Sequence, residues 1–261
     1  MKTVLSIAGT DPTGGAGIQT DLKTIEAHGL YGMAAITVVI AQNTTGVFGM
    51  QAVSPELVAQ QIDCVFEDIR PDAVKLGMLY SADIIHAVAD RLRAHHAKNV
   101  VLDPVMISSS GHALSKPDVM QALQEEIFPL CTLVTPNLHE TAAFCGRSVQ
   151  TRADMEQAAQ EIAAKTGGGV LVKGGHLAGS ADDLLYADGQ MHWLPAPRID
   201  NPNTHGTGCT LSSAIACNLA QGVSLLGSVK RAKRYLTACI QFGLDLGHGS
   251  GPLQHKVEWS E

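Results

Sequence analysis

The sequence lacks the long apolar run of a membrane-spanning helix, and it lacks an excess of positive charge. No apolar stretch among the 261 residues reaches the roughly 20 residues that cross a bilayer. With 18 Lys and Arg against 25 Asp and Glu, the net charge of −7 provides no broad basic face for nucleic acid. A small-molecule partner is favoured over nucleic acid or membrane. Because no signal-peptide pattern is visible, we expect a cytoplasmic protein.

Closely spaced cysteine pairs, which build many zinc and redox sites, are also missing. The six cysteines include no Cys-x-x-Cys pair, and their spacings do not fit zinc. A chain of this size needs no disulfides, so we expect reduced thiols, mostly in the core. With 45% hydrophobic residues and no visible linker, residues 1–261 are predicted to form a single domain.

A glycine-rich loop near the N-terminus matches neither of the two commonest nucleotide-binding motifs. Gly9–Gly17 follows a strand predicted at Lys2–Ala8 and precedes a helix predicted at Ile18–Ala27. The loop has no Gly-Lys-Ser/Thr, which excludes a Walker A motif, and Thr20 stands where a dinucleotide fingerprint needs its third glycine. The remaining functional interpretation is that the backbone of this loop closely approaches a small polar substrate.

A second glycine segment, Asn203–Thr210, precedes apolar residues at helical spacing from Leu211 onward. The N–H groups of Gly206–Cys209 would then point at the start of a helix, where the dipole favours an anion such as phosphate. The same field is expected to lower the pKa of the Cys209 thiol. A helix cap built from small residues for close packing is the alternative.

Short apolar runs alternate with helical patterns, which predicts a mostly parallel sheet covered by helices on both sides, a three-layer α/β/α fold. The Ser54-Pro55 pair predicts a helix start, and the last long helix is predicted at Leu225–Leu246. An Asp-Gly pair within Leu184–Trp193 predicts an antiparallel hairpin at one edge. The predicted strands are Lys2–Ala8, Met33–Ala41, Ala73–Gly77, Val100–Leu102, Leu133–Thr135 and Val170–Val172.

Polar or sulfur-containing side chains follow each predicted parallel strand. In doubly wound sheets, ligands bind beyond the carboxyl ends of the strands, so these side chains are expected to converge on one site. In strand order they are Asp11, then Gln42 and Asn43, then Met78, then Asp103, then Asn137 and Glu140, and finally Lys173.

Ordered motifs covering nearly the whole chain resemble the hydroxymethylpyrimidine/phosphomethylpyrimidine kinases of thiamin biosynthesis, which are members of the ribokinase-like family. The matching blocks are Ser6–Gln19, Ala41–Thr44, Lys75–Leu79, Val101–Met106, Thr135–Glu140, Val172–His176 and His205–Thr210. The resemblance implies a ribokinase-like fold and an ATP- and Mg²⁺-dependent kinase that phosphorylates 4-amino-5-hydroxymethyl-2-methylpyrimidine and then its monophosphate. It also implies a homodimer.

Phosphoryl transfer needs cationic or N–H groups on the phosphates, a metal ion, and a group that steers the attacking hydroxyl. Gly206, Thr207, Gly208 and Cys209 supply the proposed anion hole. The family match assigns Lys173 to a phosphate, whereas the residue alone would be read as an exposed lysine.

The candidate Mg²⁺ ligands are Asn137 and Glu140, which lie one helical turn apart, and Asp103. A capping box, in which Asn137 starts the helix and Glu140 reaches back to it, is equally consistent with the spacing. Asp103 could orient metal-bound water or a phosphate-side network, or could end the strand in a turn. Whether a monovalent cation assists is left open.

An aminopyrimidine needs a carboxylate or carboxamide together with an apolar surface. Asp21 and Gln42 meet the first need, and Ala16 and Met78 could cover the ring. By resemblance, Gln42 and Met78 match the family's pyrimidine pocket, and Ala16 and Asp21 lie in its glycine-rich substrate segment. On their own, Asp21 would be an acidic residue early in a helix and Met78 a core residue.

Two roles are open for Cys209: a base for the hydroxymethyl group, or part of the anion hole around the transferred phosphoryl group. Met106–Leu114 is expected to form a flap over the phosphates, although no lysine precedes Lys116 there. A pyridoxal or pyridoxine kinase is the nearest alternative activity. A non-catalytic ligand-binding protein on the same scaffold is the alternative from another class.

Overall fold

The computed structural model describes residues 1–105, 117–175, 181–196 and 198–259. Within these described ranges, ten strands form two sheets, with eight strands in the larger one and two in the smaller one. The strands are β1 (Thr3–Ala8), β2 (Tyr31–Ile36), β3 (Val38–Asn43), β4 (Gly46–Ala52), β5 (Ala73–Leu76), β6 (Val100–Leu102), β7 (Leu133–Val134), β8 (Gly169–Val172), β9 (Asp183–Ala187) and β10 (Gln190–Leu194).

The larger sheet has the order β10-β9-β8-β7-β6-β5-β1-β2. The six strands from β8 to β2 pair with one another in parallel, whereas β9 pairs antiparallel with both β8 and β10. Asp188 and Gly189 join β9 to β10 with φ values of 50° and 74°, as a two-residue type I′ hairpin requires. The predicted antiparallel edge hairpin is therefore confirmed.

Helices cover both faces of the sheet, which confirms the three-layer prediction. One face packs against α2 (Pro55–Asp68), α3 (Ala82–Ala94), α4 (Pro117–Ala122), α5 (Leu138–Cys145) and α6 (Arg152–Ala163). The other packs against α1 (Gly17–Ala27), α7 (Thr207–Ala220) and α8 (Leu225–Gln241). Alternate residues of β1 enter opposite cores, with Leu5 and Ile7 on the first face and Val4 on the second. None of the described helices is both long enough and apolar enough to cross a membrane.

The single strand predicted at Met33–Ala41 is wrong, because the chain leaves the large sheet at Thr37. The Thr37 N–H donates to the Ala8 carbonyl at 3.0 Å, and its hydroxyl donates to the Met78 carbonyl at 2.7 Å. Beyond this bend, β3 pairs antiparallel with β4 in the separate two-stranded sheet. An unbroken run of β-branched and apolar residues gives no periodicity signal for such a bend. The strand β4 was also not predicted from the sequence.

Helix ends were predicted with mixed success. The Ser54 hydroxyl accepts a hydrogen bond from the Leu57 N–H at 3.3 Å, so the predicted start of α2 is confirmed. The last helix, predicted to continue to Leu246, ends at Gln241. Gly243 then takes a φ of 70°, a left-handed conformation that glycine adopts easily and that stops the helix.

Candidate active site

A cavity of about 1550 Å³ lies beyond the carboxyl ends of the parallel strands. Most of the residues predicted to converge on this edge of the sheet line it. The lining includes Ala16, Gln42, Met78, Asp103, Asn137, Glu140, Lys173, Gly206, Thr207, Gly208 and Cys209. The exceptions are Asp11, Asp21 and Asn43, which are not part of the lining.

The anion-hole segment forms the first turn of α7, with Gly206 as the N-cap residue at a φ of 82°. A Cβ on Gly206 would lie 1.9 Å from the Gly15 carbonyl oxygen, so the backbones of the two glycine segments are in direct contact. A Cβ on Gly208 would lie 2.9 Å from an Asp103 carboxylate oxygen and 3.4 Å from Lys173 Nζ. These contacts require glycine at both positions, and they place the helix N-terminus beside the Lys173 ammonium group.

Lys173 directly follows the last residue of β8, and its Nζ donates a hydrogen bond to Asp103 Oδ1 at 2.6 Å. Burial alone would lower the pKa of Lys173, but the charges of Asp103 and Glu140 outweigh burial and raise it. The lysine is therefore a fixed cation on the cavity wall rather than a freely exposed side chain. An incoming anion would find this cation already positioned.

The capping alternative for Asn137 and Glu140 is what the structure shows. The Glu140 N–H donates to Asn137 Oδ1 at 2.9 Å, and the Asn137 N–H donates to Glu140 Oε2 at 2.8 Å. Within the described ranges, no group of three or more His, Cys, Asp and Glu side chains could hold a metal ion. A metal site built by the protein alone is thus not preformed there, although Asp103 and Glu140 both face the cavity.

The expectation of a lowered Cys209 pKa is wrong. Burial raises the pKa of the thiol to about 11, the Lys75 ammonium and a hydrogen bond from the Gly17 N–H oppose the rise, and Asp21 and Asp103 add to it. Desolvation outweighs the nearby cation because a thiolate loses more hydration than a thiol on burial. At neutral pH the group is therefore a thiol.

Asp21 lies beneath the cavity wall and has no exposed surface. Its carboxylate accepts hydrogen bonds from Lys75 Nζ at 2.8 and 2.9 Å, from the Ser6 hydroxyl at 2.5 Å and from the Ser213 hydroxyl at 2.8 Å. Its predicted place in the pyrimidine pocket is therefore corrected: it joins β1, β5 and α7 below that pocket. Four hydrogen bonds leave little of this carboxylate for a ligand.

Lys75 is a site residue that the sequence reasoning missed. It lies in β5 with no exposed surface, yet it belongs to the cavity lining. A lysine inside an otherwise apolar buried strand was the available signal, because a buried ammonium group needs a carboxylate partner. That partner is Asp21, and the charge on Asp21 raises the pKa of Lys75 although burial would lower it.

Gln42 and Met78 lie at the end of the cavity formed by the small sheet. Gln42 lies within β3, not after a strand of the large sheet as predicted, and its Nε2 reaches only the Thr10 carbonyl at 3.5 Å. Met78 packs with Val38 and Ile40 in a small apolar cluster. A carboxamide held by one long hydrogen bond beside an apolar wall can exchange that bond for one to a ligand.

Asp11 was expected at this edge of the sheet because it follows the first strand, whereas His205 was given no role from the sequence. His205 Nε2 lies 2.8 Å from Asp11 Oδ2, and both side chains are buried. The flap expected at Met106–Leu114 lies outside the described residues.

Comparison with known proteins gives a consistent result. The family model for phosphomethylpyrimidine kinase matches residues 11–254. The chain is 49% identical over 259 residues to the hydroxymethylpyrimidine/phosphomethylpyrimidine kinase of Rhizobium meliloti, covering 98% of this chain and 97% of that protein. The corresponding enzyme of Escherichia coli is 44% identical over 266 residues, with 99% and 100% coverage.

Solved structures agree. The phosphomethylpyrimidine kinase of Clostridium difficile superposes with a TM-score of 0.82 at 41% identity, covering 91% of this chain and 98% of that one. The pyridoxal kinase of Bacillus subtilis, solved as an ADP complex, gives 0.91 at 37% identity with 98% coverage of both chains. Because the family model matches nearly the whole chain, and full-length relatives exceed 40% identity, the chain belongs to the phosphomethylpyrimidine kinase family.

Proposed function

We propose that this chain uses ATP to phosphorylate 4-amino-5-hydroxymethyl-2-methylpyrimidine, and then the resulting monophosphate, in thiamin biosynthesis. The observation that carries the proposal is one cavity with two chemically different ends. One end offers an apolar wall with a carboxamide, and the other offers a helix N-terminus with a fixed lysine. Membership of a family whose relatives are named for these two phosphorylations supports the same reaction.

The pyrimidine ring is assigned to the end lined by Ala16, Gln42 and Met78. Met78 and Ala16 cover the ring faces, and the Gln42 carboxamide pairs with the polar edge, since it carries both a donor and an acceptor. Asp21 acts as a positioning residue, because it fixes Lys75 and, through Ser213, the helix α7 below the ring. This arrangement directs the hydroxymethyl group towards Cys209.

Charge stabilisation is assigned to the other end. The Thr207 N–H donates to the Thr204 carbonyl at 3.3 Å. The N–H groups that follow it in the first turn of α7 point along the helix dipole, so they favour the negative charge of a phosphoryl group. Lys173 adds a full positive charge. Cys209, which is a thiol at neutral pH because its pKa lies near 11, is assigned to this anion hole rather than to proton abstraction.

Use of ATP is supported by the family and by solved relatives such as the Staphylococcus aureus pyridoxal kinase complex with AMP-PCP and pyridoxal. We propose that Mg²⁺ accompanies the nucleotide. Mg²⁺ is bound through one or two carboxylates together with substrate phosphates, and Asp103 and Glu140 fit that role as acidic groups on the cavity wall beside Lys173. Asn137 completes the proposed ligand set, and the ion would neutralise phosphate charge. A requirement for a monovalent cation remains a proposal.

One active site is proposed for both steps, since the ring-binding residues and the start of α7 beside Lys173 line the same cavity. The cavity of about 1550 Å³ exceeds the typical 300–1,000 Å³ of a pocket for one ligand, as a site that holds a nucleotide and an acceptor together requires. The monophosphate is proposed to shift within it. Its phosphate oxygen would then take the position of the earlier hydroxyl near Cys209. We further propose a single kinase domain over residues 1–261 and a cytoplasmic location.

A homodimer is also proposed. The β3–β4 hairpin exposes Val39, Phe48 and Met50 with 53%, 71% and 39% of their surfaces accessible, and such apolar patches commonly mark protein interfaces. Measurement of the molar mass by light scattering tests this, and a monomer at all concentrations would contradict it.

The test of function is product identification by mass spectrometry after incubation with ATP, Mg²⁺ and one candidate alcohol at a time. The expected products are the mono- and diphosphate of the hydroxymethylpyrimidine. Pyridoxal and pyridoxine belong in the same panel, because the Bacillus subtilis pyridoxal kinase superposes over 98% of the chain. Phosphorylation of pyridoxal without any pyrimidine phosphate would favour that second activity, and no product from any alcohol would favour a non-catalytic binding protein.

A further inference from the structure

The carboxylate of Asp11 organises the glycine-rich loop that follows β1. Its Oδ2 atom accepts the Ala16 N–H at 2.8 Å and the Gly15 N–H at 3.2 Å. Its Oδ1 atom accepts the N–H and the hydroxyl of Thr13 at 3.0 and 2.8 Å. One buried side chain therefore holds the turn that ends in Ala16, a residue of the cavity wall.

The same carboxylate also reaches the other glycine segment. His205 Nε2 lies 2.8 Å from Asp11 Oδ2, across 194 positions of the chain, and His205 directly precedes Gly206. Burial would raise the pKa of Asp11, but the hydrogen bonds from His205 and Thr13 lower it overall. The carboxylate is ionised and can only accept, so Nε2 carries the proton in this contact.

Backbone contacts make the junction stiff. A Cβ on Gly206 would lie 1.9 Å from the Gly15 carbonyl oxygen, and a Cβ on Gly15 would lie 2.6 Å from His205 Cδ2. On the outer side, the His205 N–H donates to the Gly251 carbonyl at 3.2 Å. Because the two segments approach this closely at Gly15 and Gly206, displacement of one towards the other must displace both, and displacement away must break the contact between the two side chains.

We propose that Asp11 and His205 are a pair of positioning residues that couple the ring-binding loop at Ala16 to the phosphate-binding turn at Gly206–Cys209. Occupation of either end of the cavity then fixes the other end, so each ligand binds more tightly when the other is present. The inference rests on the proposed function, because it takes a pyrimidine alcohol and a nucleotide as the two ligands. The coupling is reciprocal by thermodynamic necessity.

The experiment measures the Kd of a non-hydrolysable ATP analogue by calorimetry with Mg²⁺, with and without saturating hydroxymethylpyrimidine. For the wild type, the pyrimidine should lower this Kd by a factor in the usual range of site-to-site coupling, about 5- to 150-fold. His205→Ala should bring the factor close to one, while the Kd of each ligand alone changes less than the coupling does. Asp11→Asn should remove the coupling as well, and the double variant should add nothing further.

Two further variants distinguish coupling from general damage. His205→Gln places an N–H donor at a similar reach, so it should restore part of the coupling, and it also provides the measurement if His205→Ala does not fold. Thr13→Ala removes a hydrogen bond to the same carboxylate within one loop only, so it should keep the wild-type factor.

The outcomes separate the two hypotheses. If both ligands bind the wild type but neither changes the affinity for the other, or if His205→Ala and His205→Gln both keep the full factor, the coupling role is overturned and the proposed function stands. If the wild type binds only one of the two ligands, the proposed function and this inference both fail.

Discussion

The buried ion pair between Lys75 and Asp21 should dominate the effect of substitutions below the active site. Both side chains have no exposed surface, and Nζ lies 2.8 and 2.9 Å from the two carboxylate oxygens. Removing one partner strands a charge in the core, which typically costs about 3–5 kcal/mol. That is a large share of the roughly 5–15 kcal/mol that stabilises a typical folded domain. Lys75→Met and Asp21→Asn are each expected to lower the free energy of unfolding by this amount.

The double variant should cost less than the sum of the two single changes. In it, a neutral Asn at position 21 keeps hydrogen-bond partners in Ser6 and Ser213, and no charge remains unpaired. We expect a coupling energy at the upper end of the usual range of about 0.5–3 kcal/mol. Urea denaturation followed by circular dichroism gives all four stabilities, provided that the slope m is unchanged.

A control pair lies at the surface. Lys2 Nζ lies 2.7 Å from Asp72 Oδ1, but the lysine side chain is 54% exposed, so Lys2→Met should cost less than about 1 kcal/mol. If Lys75→Met costs no more than Lys2→Met, or if the two buried changes are additive, the structural role assigned to the buried pair is wrong.

Three further predictions concern the cavity wall. Cys209→Ala should lower kcat for the first phosphorylation far more than it raises the KM for ATP, because we propose that the thiol lies at the transferred phosphoryl group; wild-type turnover would remove Cys209 from the mechanism. Because the pKa of the Cys209 thiol is about 11, the rate of its alkylation should rise about tenfold per pH unit from pH 7 to 10. Peptide mass spectrometry measures this rate, with the exposed Cys64 as internal reference. A rate that reaches a plateau by pH 8 would contradict the raised pKa. Gln42→Leu should weaken pyrimidine binding by about 1–3 kcal/mol through an unpaired polar edge, with ATP binding nearly unchanged; calorimetry that shows unchanged pyrimidine affinity would move the specificity pocket elsewhere.

Sequence patterns predicted the layers of the fold because buried faces of helices and strands require apolar residues at regular spacing along the sequence. The parallel strands, the two helical layers and the β9–β10 hairpin each follow from apolar runs or from turn chemistry at Asp188 and Gly189. The bend at Thr37 leaves no such pattern, because it depends on hydrogen bonds to Ala8 and Met78, which are distant in sequence.

The same limit applies within the site. Strand ends predicted which residues would meet, but not which of them would pair with each other. Asp21 is paired with Lys75, and Lys173 with Asp103, only because the fold brings residues 54 and 70 positions apart into contact. The raised pKa of Cys209 was likewise hidden, since desolvation depends on how completely the surrounding elements enclose the thiol.

We propose that one cavity carries out both phosphorylations, with Lys173 at the phosphates. The most direct measurement follows the mono- and diphosphate over time by mass spectrometry in the wild type, in Lys173→Ala and in the surface control Lys165→Ala, starting from either the alcohol or the monophosphate. Lys173→Ala should slow both steps together, Lys165→Ala should slow neither, and the monophosphate should compete with the alcohol. A Lys173→Ala protein that no longer phosphorylates the alcohol, yet converts the monophosphate to the diphosphate at the wild-type rate, would contradict this proposal.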